Sequence, residues 1–502
     1  MKQYKKILHK PDINLDIWYH VLKSYSFMNT KMVHEEEVNR LERIRCVCKY
    51  FQTTIDSDKE FNTIRTFFNN KYETRSTNHM NVINLCGSEY QLVSLKTSIY
   101  CNISQELRDI CIRNTWCHPY LCEIKYTFLK KGLLHILLPK YHISLLNMIE
   151  KGMSLKTIRD ISIQLFQVMR YLHKNGISHG NLAPKRIFIE LSTSFVVSVR
   201  LMDFTFSTYL LPSGSINWLP SRAAPELRKK RTKGTYGNTN DMWALGHIIQ
   251  EMARTMTEVN LTQSEKDIFD SVTERLLTAD PHKRLTADEA LRVLNYTPIE
   301  GKILTPNRSV ETCTSTVWTN LILDLCYASK AFNIPFPNYF ATVFILRTVK
   351  NITFELGMSC LLLVSMLHLN GNLEGFQKNL CHTQNCDSNV TGAHIMDVLH
   401  KTEFNLLYYV PSPMVEKIKD YNSIFPTILC EKNMLKYPKK YIEYIIYTIY
   451  EIIKGIHFPI QHMQLISTTI ANLPNAIFYE GTSIKDEEYT STLNKCKHRL
   501  FL

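Results

Sequence analysis

The sequence predicts an α+β fold: a two-lobed central domain flanked by a helical N-terminal segment and an all-helical C-terminal domain. Three observations predict it. Residues 80 to 297 run from short apolar strands into long helical patterns, residues 13 to 58 carry apolar positions at helical spacing, and residues 312 to 480 read as helix throughout. At 502 residues the chain exceeds one ordinary core, so two to four domains are expected. The divisions are 1–60, 78–297 (a strand-rich lobe at 78–140, a helical lobe at 141–297), 310–480 and a tail at 481–502, with Thr297 to Arg308 as linker.

Composition narrows the function classes. Hydrophobic residues make up 45% and charged residues 21%, which is ordinary for globular protein and excludes a largely disordered chain. The net charge of +13 comes from scattered lysines and arginines, so a basic protein with no nucleic-acid partner is the favoured reading. The 14 cysteines have no pairing rhythm and Met1 to Asp12 has no apolar stretch, so reduced thiols and an intracellular (cytoplasmic or nuclear) place are expected. Cys381, His382 and Cys386 lack a matching second pair at metal-site spacing and read as ordinary loop residues. The apolar stretches Phe354 to Leu369 and Tyr441 to Ile460 contain Glu355, His368, Glu443, Glu451 and Lys454, and read as core helices with no membrane role.

The central block carries the chemistry. A helical stripe (Ile161, Leu165, Val168, Met169, Leu172) leads into Ile177-Ser178-His179-Gly180-Asn181-Leu182-Ala183-Pro184-Lys185-Arg186 and an apolar strand. Leu201-Met202-Asp203-Phe204-Thr205, Ala224-Pro225-Glu226, Asp241-Met242-Trp243-Ala244-Leu245-Gly246 and Asp280-Pro281-His282-Lys283-Arg284 follow in order. This series resembles the protein kinases: the catalytic loop, the metal-binding D-F-G, A-P-E, and the two late motifs of the helical lobe. Arg108-Asp109-Ile110-Cys111-Ile112 with His118-Pro119 resembles the C-helix of cyclin-dependent kinases. Gln91 to Lys96 resembles the strand that carries the ATP lysine; a plain surface lysine is the other reading of Lys96.

The resemblance implies ATP and magnesium as cofactors, with Lys96, Asp109 and Asp203 at the binding positions and Asp203 as the metal ligand. It also implies Glu226 and Arg284 as a pair and Asp241 as a structural residue of the helical lobe. Yet the chemistry of that family needs residues this sequence lacks. The catalytic aspartate position holds Asn181, a neutral amide that is no base. The second metal ligand is replaced by the cation Arg186, which is expected to pair with Asp203. The phosphate-steadying lysine is Ala183, the loop arginine is Gly180, and the glycine after Asp203-Phe204 is Thr205. Residues 78 to 92 offer only Gly87 where a glycine-rich phosphate loop is needed. The expectation is a catalytically dead kinase-like scaffold. The alternative is a divergent, ATP-dependent serine/threonine kinase with a fused cyclin-like domain.

Two flanking resemblances complete the reading. Leu15, Ile17 and Leu22, followed by Leu41-x-x-Ile44-Arg45-x-Val47-Cys48-Lys49-x-Phe51, resemble an F-box. The resemblance implies that residues 1–60 dock on the adaptor subunit of an SCF ubiquitin ligase through Leu15, Ile17, Leu22, Val47 and Phe51. A helical hairpin packed on the strand-rich lobe is the other reading. Trp318, the Asn338 to Arg347 helix and Gly357 to Leu363 resemble a cyclin box, with Met366 at its lysine position and Glu403 at its glutamate. That likeness implies a kinase or cyclin among the protein targets; a generic helical bundle is the other reading. The basic run Arg228 to Lys233 reads as a solvated loop, or as a nuclear-localisation or acidic-partner patch.

Overall fold

The computed structural model describes residues 32–33, 59–69, 74–77, 80–96, 100–130, 133–141, 143–191, 197–209, 222–229, 237–258, 262–303, 316–331, 334–349 and 353–368, with scattered positions between 394 and 446. Leu15, Ile17, Leu22, Val47, Phe51, Cys381, His382, Cys386 and Glu403 lie outside the described residues. Two compact units meet in sequence at Asn307 and Arg308, with Glu403–Asn405 belonging to the first.

The first unit begins with a six-stranded sheet: β1 (Met32–Val33), β2 (Thr74–Thr77), β3 (Met80–Leu85), β4 (Ser88–Lys96), β5 (Tyr126–Lys130) and β6 (Leu133–Pro139). Its order is β1-β5-β6-β4-β3-β2. β1 lies parallel to β5, and every other neighbour is antiparallel. β3 shows why this chain makes strand here. Val82, Ile83 and Leu85 are buried while Asn84 is exposed, so the strand alternates from Ile83 to Leu85 and its start is covered on both faces. Helix α1 (Lys59–Phe68) buries Ile64 and Phe67, and the Phe67 ring meets His135 of β6 edge-on at 5.4 Å. Leu85 pairs with Ser88, so Cys86 and Gly87 alone make the turn, both with positive φ (50° and 78°). That is the twist-matched two-residue hairpin, and glycine takes its second position without strain.

Helix α2 (Tyr100–Thr115) lies between β4 and β5 in sequence and is buried from Arg108 to Thr115. The helical lobe holds α3 (Leu145–Lys151), α4 (Leu155–Lys174), α5 (Pro225–Lys229), α6 (Asn238–Arg254), α7 (Gln263–Leu276) and α8 (Ala287–Val293). Three helix starts, those of α3, α4 and α8, have side-chain caps. Ser144, Ser154 and Thr286 accept from the backbone N–H groups of Asn147, Thr157 and Glu289, satisfying donors that the first turn leaves over. On α4, Ile161, Leu165, Val168, Met169 and Leu172 are all buried, so the apolar stripe of the sequence is the core face of the lobe. A three-stranded sheet, β7 (Ile143–Ser144), β8 (Ile187–Leu191) and β9 (Val197–Leu201), carries the functional segments at its ends, with β8 central.

The segment expected to be a linker belongs in part to the first unit. Lys302 and Ile303 pair with Cys117 and Trp116. Glu300 bonds Arg170 and Lys174, Tyr171 Oη donates to the Lys302 carbonyl at 2.8 Å, and the missing side chain of Gly301 leaves room for the Tyr171 ring. Tyr171 in turn stacks on His118 at 5.2 Å.

The second unit contains α9 (Thr316–Ala331), α10 (Phe336–Leu346) and α11 (Phe354–His368). Every residue of α10 is buried, so it is the central one of the three described helices. Gly357 of α11 sits so near Leu321 and Leu325 of α9 that a Cβ would fall 3.2 Å from both. Three helices at the expected places are thus present, with Trp318 buried among them. Among the described residues no helix is long and apolar enough to cross a membrane.

Candidate functional site

The site is assembled by two backbone segments that meet beside α2. The first runs from Ile177 through Arg186 and is anchored by the buried Asp241 of α6. The Asp241 carboxylate accepts from the backbone N–H of His179 (2.7 Å) and of Gly180 (3.1 Å), and it faces His173 Nε2 at 3.1 Å. His179 is fully buried, packs its ring against Phe204 at 4.9 Å and lies 3.2 Å from the Met202 carbonyl. Burial pushes its pKa down, against the pull of Asp241 and Asp203, so it stays neutral. Gly180 has φ +85°, and a Cβ there would fall 2.2 Å from the Phe206 carbonyl oxygen. Glycine at this place is therefore a steric requirement of this chain, not only a lost arginine.

The second segment is Asp203 to Thr208. Asp203 has φ +70°, an uncommon conformation for a residue with a side chain, and its surroundings hold it there. Thr205 Oγ1 donates to its Oδ1 at 2.6 Å, and Arg186 Nε donates to its Oδ2. Arg186 also reaches Asn181, whose amide oxygen, turned to the guanidinium, accepts at 3.0 and 3.3 Å. Burial alone would raise the Asp203 carboxyl; the Thr205 hydroxyl and the Arg186 guanidinium outweigh it and hold the group below the usual carboxylate range.

From α2, Asp109 and Arg108 complete the site. Asp109 Oδ1 accepts from the Phe204 N–H at 2.8 Å and from Arg113 Nε at 3.1 Å, and Oδ2 accepts from Arg113 Nη2. The Asp109 carboxylate is thus engaged from its own helix and from residue 204. Lys96 ends β4 opposite Leu133. Arg108 donates to the carbonyls of Thr205 (3.4 Å) and Ser207 (3.2 Å), and burial lowers its pKa to about 10. Sequence reading gave neither Arg108 nor Arg113 a role. The four-residue spacing from Asp109 to Arg113 on one helix face was the available signal for the latter.

The structural residues lie farther down the helical lobe. Arg284, its side chain fully buried, donates to both Glu226 oxygens (2.8 and 3.1 Å) and to the Thr239 and Thr278 carbonyls, and lies 5.0 Å from the Trp243 ring centre. Asn240 Nδ2 donates to Glu226 as well, at 2.8 Å.

Magnesium demands several oxygen ligands in near-octahedral array. The residues here do not fit it. One carboxylate is offered, both its oxygens accept protein hydrogen bonds, and a guanidinium stands beside them. At the β3–β4 turn the Gly87 N–H is spent on Asn84 Oδ1 at 3.1 Å.

Comparison with known proteins agrees with the fold. Residues 91–294 match the protein kinase domain family, and that stretch is a protein kinase-like domain. Its relatives include the phosphorylase b kinase gamma catalytic chain, liver/testis isoform, of Bos taurus, 30% identical over 200 residues covering 34% of this chain and 48% of that one. Cyclin-dependent kinase-like 4 of Mus musculus is 27% identical over 176 residues, covering 33% and 50%. The chain spans about half the length of these relatives. The yeast RNA Pol II CTD kinase CTDK-1 complex matches at TM-score 0.38 and 17% identity, over 46% of this chain and 95% of that one.

Proposed function

We propose that this chain is a non-catalytic protein kinase-like scaffold that works as an F-box type substrate adaptor for an SCF ubiquitin ligase. The observation that carries the non-catalytic half is the Asn181–Arg186–Asp203 cluster. Where phosphoryl transfer needs a carboxylate base and two metal ligands, the chain has an amide, a cation and one engaged carboxylate. Loss of a general base alone costs about 10²–10⁴ in rate, and loss of metal and phosphate positioning adds to it. The adaptor half rests on the Leu15 to Phe51 pattern. It places the SCF adaptor on residues 1–60, leaving the kinase-like domain and the helical second unit to present a target, a kinase or cyclin among the candidates.

One experiment tests both halves. The full chain and a chain lacking residues 1–60 are used to capture proteins from a eukaryotic lysate, and both are assayed for phosphate transfer to themselves and to captured proteins. The expected result is adaptor and cullin on the full chain alone, and no transfer above that of the Asp203→Ala variant. Transfer abolished by Asp203→Ala overturns the non-catalytic reading, and absence of the adaptor overturns the F-box reading. A second reading, a divergent serine/threonine kinase, is favoured by the relatives, which are named as kinases and a catalytic chain. On that reading the same assay gives transfer.

A further inference from the structure

The departures from the catalytic pattern are not scattered. Gly180, Arg186 and Asp109 all touch the short segment 203–208, and Thr205 lies within it. Arg186 and the Thr205 hydroxyl hold the Asp203 carboxylate from opposite oxygens. Asp109 holds the Phe204 N–H at 2.8 Å. The bare backbone of Gly180 lets the Phe206 carbonyl pass where a Cβ would stand, 2.2 Å away. Just beyond, Ser207 Oγ donates to the His179 carbonyl at 3.0 Å, and Ile177–Ser178 pairs antiparallel with Thr208–Tyr209. Arg108 closes the set from α2 through the Thr205 and Ser207 carbonyls.

We infer that these residues form a latch that fixes segment 203–208 without nucleotide or metal, with Arg186 as a resident cation standing in for a divalent ion at Asp203. The electrostatics favour it. The Asp203 carboxylate needs a counter-charge wherever it is removed from water, and a guanidinium supplies charge and directed donors together. A metal at the same oxygens would meet that cation at contact range. Arg186 is itself fixed by neighbours: it ends a 3-10 turn opened by Pro184, its N–H bonds the Ala183 carbonyl, and its carbonyl accepts from Met202 N–H at 3.2 Å. The latch therefore needs nothing from outside the chain. This deepens the non-catalytic reading, and it fails separately: a chain that transfers no phosphate but needs a metal to order residues 203–208 has no latch.

Hydrogen–deuterium exchange on the full chain tests it, following the peptide that covers residues 203–208 with EDTA or with millimolar Mn²⁺. In the native chain, slow exchange that is the same under both conditions is expected. In Arg186→Asn, which removes the cation and restores an amide ligand, exchange of that peptide should rise at least tenfold in EDTA and fall back with Mn²⁺. Thr205→Val, which deletes only the hydroxyl, should give a smaller rise that Mn²⁺ does not reverse, and it supplies the readout if Arg186→Asn does not fold. Three results overturn the latch: native exchange as fast as that of Arg186→Asn, native exchange that slows with Mn²⁺, or Thr205→Val indistinguishable from native. Phosphate transfer is not read in this experiment, so its outcome leaves the catalytic question to the assay above.

Discussion

Replacing Glu226 by alanine should destabilise the first unit more than any surface charge deletion. Arg284 has a side chain with no exposure, and Glu226 is 25% exposed. The substitution leaves the guanidinium buried with the Thr239 and Thr278 carbonyls and the Trp243 ring, but no carboxylate. Breaking a buried pair from one side costs about 3–5 kcal/mol, because the remaining charge is stranded. The partial exposure of Glu226 lets water reach the vacated place, so the low end, about 3 kcal/mol, applies. With about 2.1 cal/mol/K of unfolding entropy per residue, a unit of about 310 residues shifts by roughly 1.5 °C per kcal/mol, so the first unfolding transition should fall by about 4–5 °C. The control is Arg292→Ala, which breaks the exposed Arg292–Asp288 pair (72% and 43% exposed) and should cost about 0–1 kcal/mol. Thermal denaturation followed by circular dichroism measures both. A Glu226→Ala shift no larger than that of Arg292→Ala would refute the assignment of Arg284 and Glu226 as a buried pair that holds the lobe.

Two more expectations follow from the same geometry. Gly180→Ala should destabilise the first unit, by about 1–3 kcal/mol from the left-handed backbone alone and further from the collision with the Phe206 carbonyl, and calorimetry reads the resulting fall in melting temperature. His118 accepts from the Tyr120 N–H at Nδ1 and so donates from Nε2 to the Ile299 carbonyl at 3.3 Å; burial lowers its pKa to about 4 from an ordinary 6.5. The unfolded chain then binds the proton first as pH falls. Stability from this group is complete above pH 6.5 and is lost between 6.5 and about 4. A His118→Gln variant should show a flatter melting-temperature profile across that window, and an unchanged slope would exclude His118 as the source.

The helical lobe was legible because its signals are local. The α4 stripe and the Asp241 helix each lie within one element, and neighbours three or four residues apart define them. The catalytic-loop series was legible for a different reason: ordered motifs at family spacing point to one fold. What stayed hidden depends on contacts between distant segments. The contact of Asp109 to an N–H ninety-five residues away at Phe204 joins segments that no local pattern connects. The proline and glycine of 298–301 read as a linker, because nothing in the sequence says that Gly301 is small to admit Tyr171. Gly180 likewise looked like a plain loss until the Phe206 carbonyl was seen over it.

The return of residues 299–303 onto α2 changes where this protein divides. Family likeness stops at Leu294, but the folded unit continues to the strand that closes on Trp116 and Cys117. A chain cut at the family boundary would lose the Ile299 carbonyl from His118, the Lys302 carbonyl from Tyr171 and the Glu300 carboxylate from Arg170 in one stroke. The kinase-like domain is therefore not an interchangeable cassette at its own edge. Any excision that keeps it whole has to cut beyond Ile303, so this short ribbon sets the domain's working boundary.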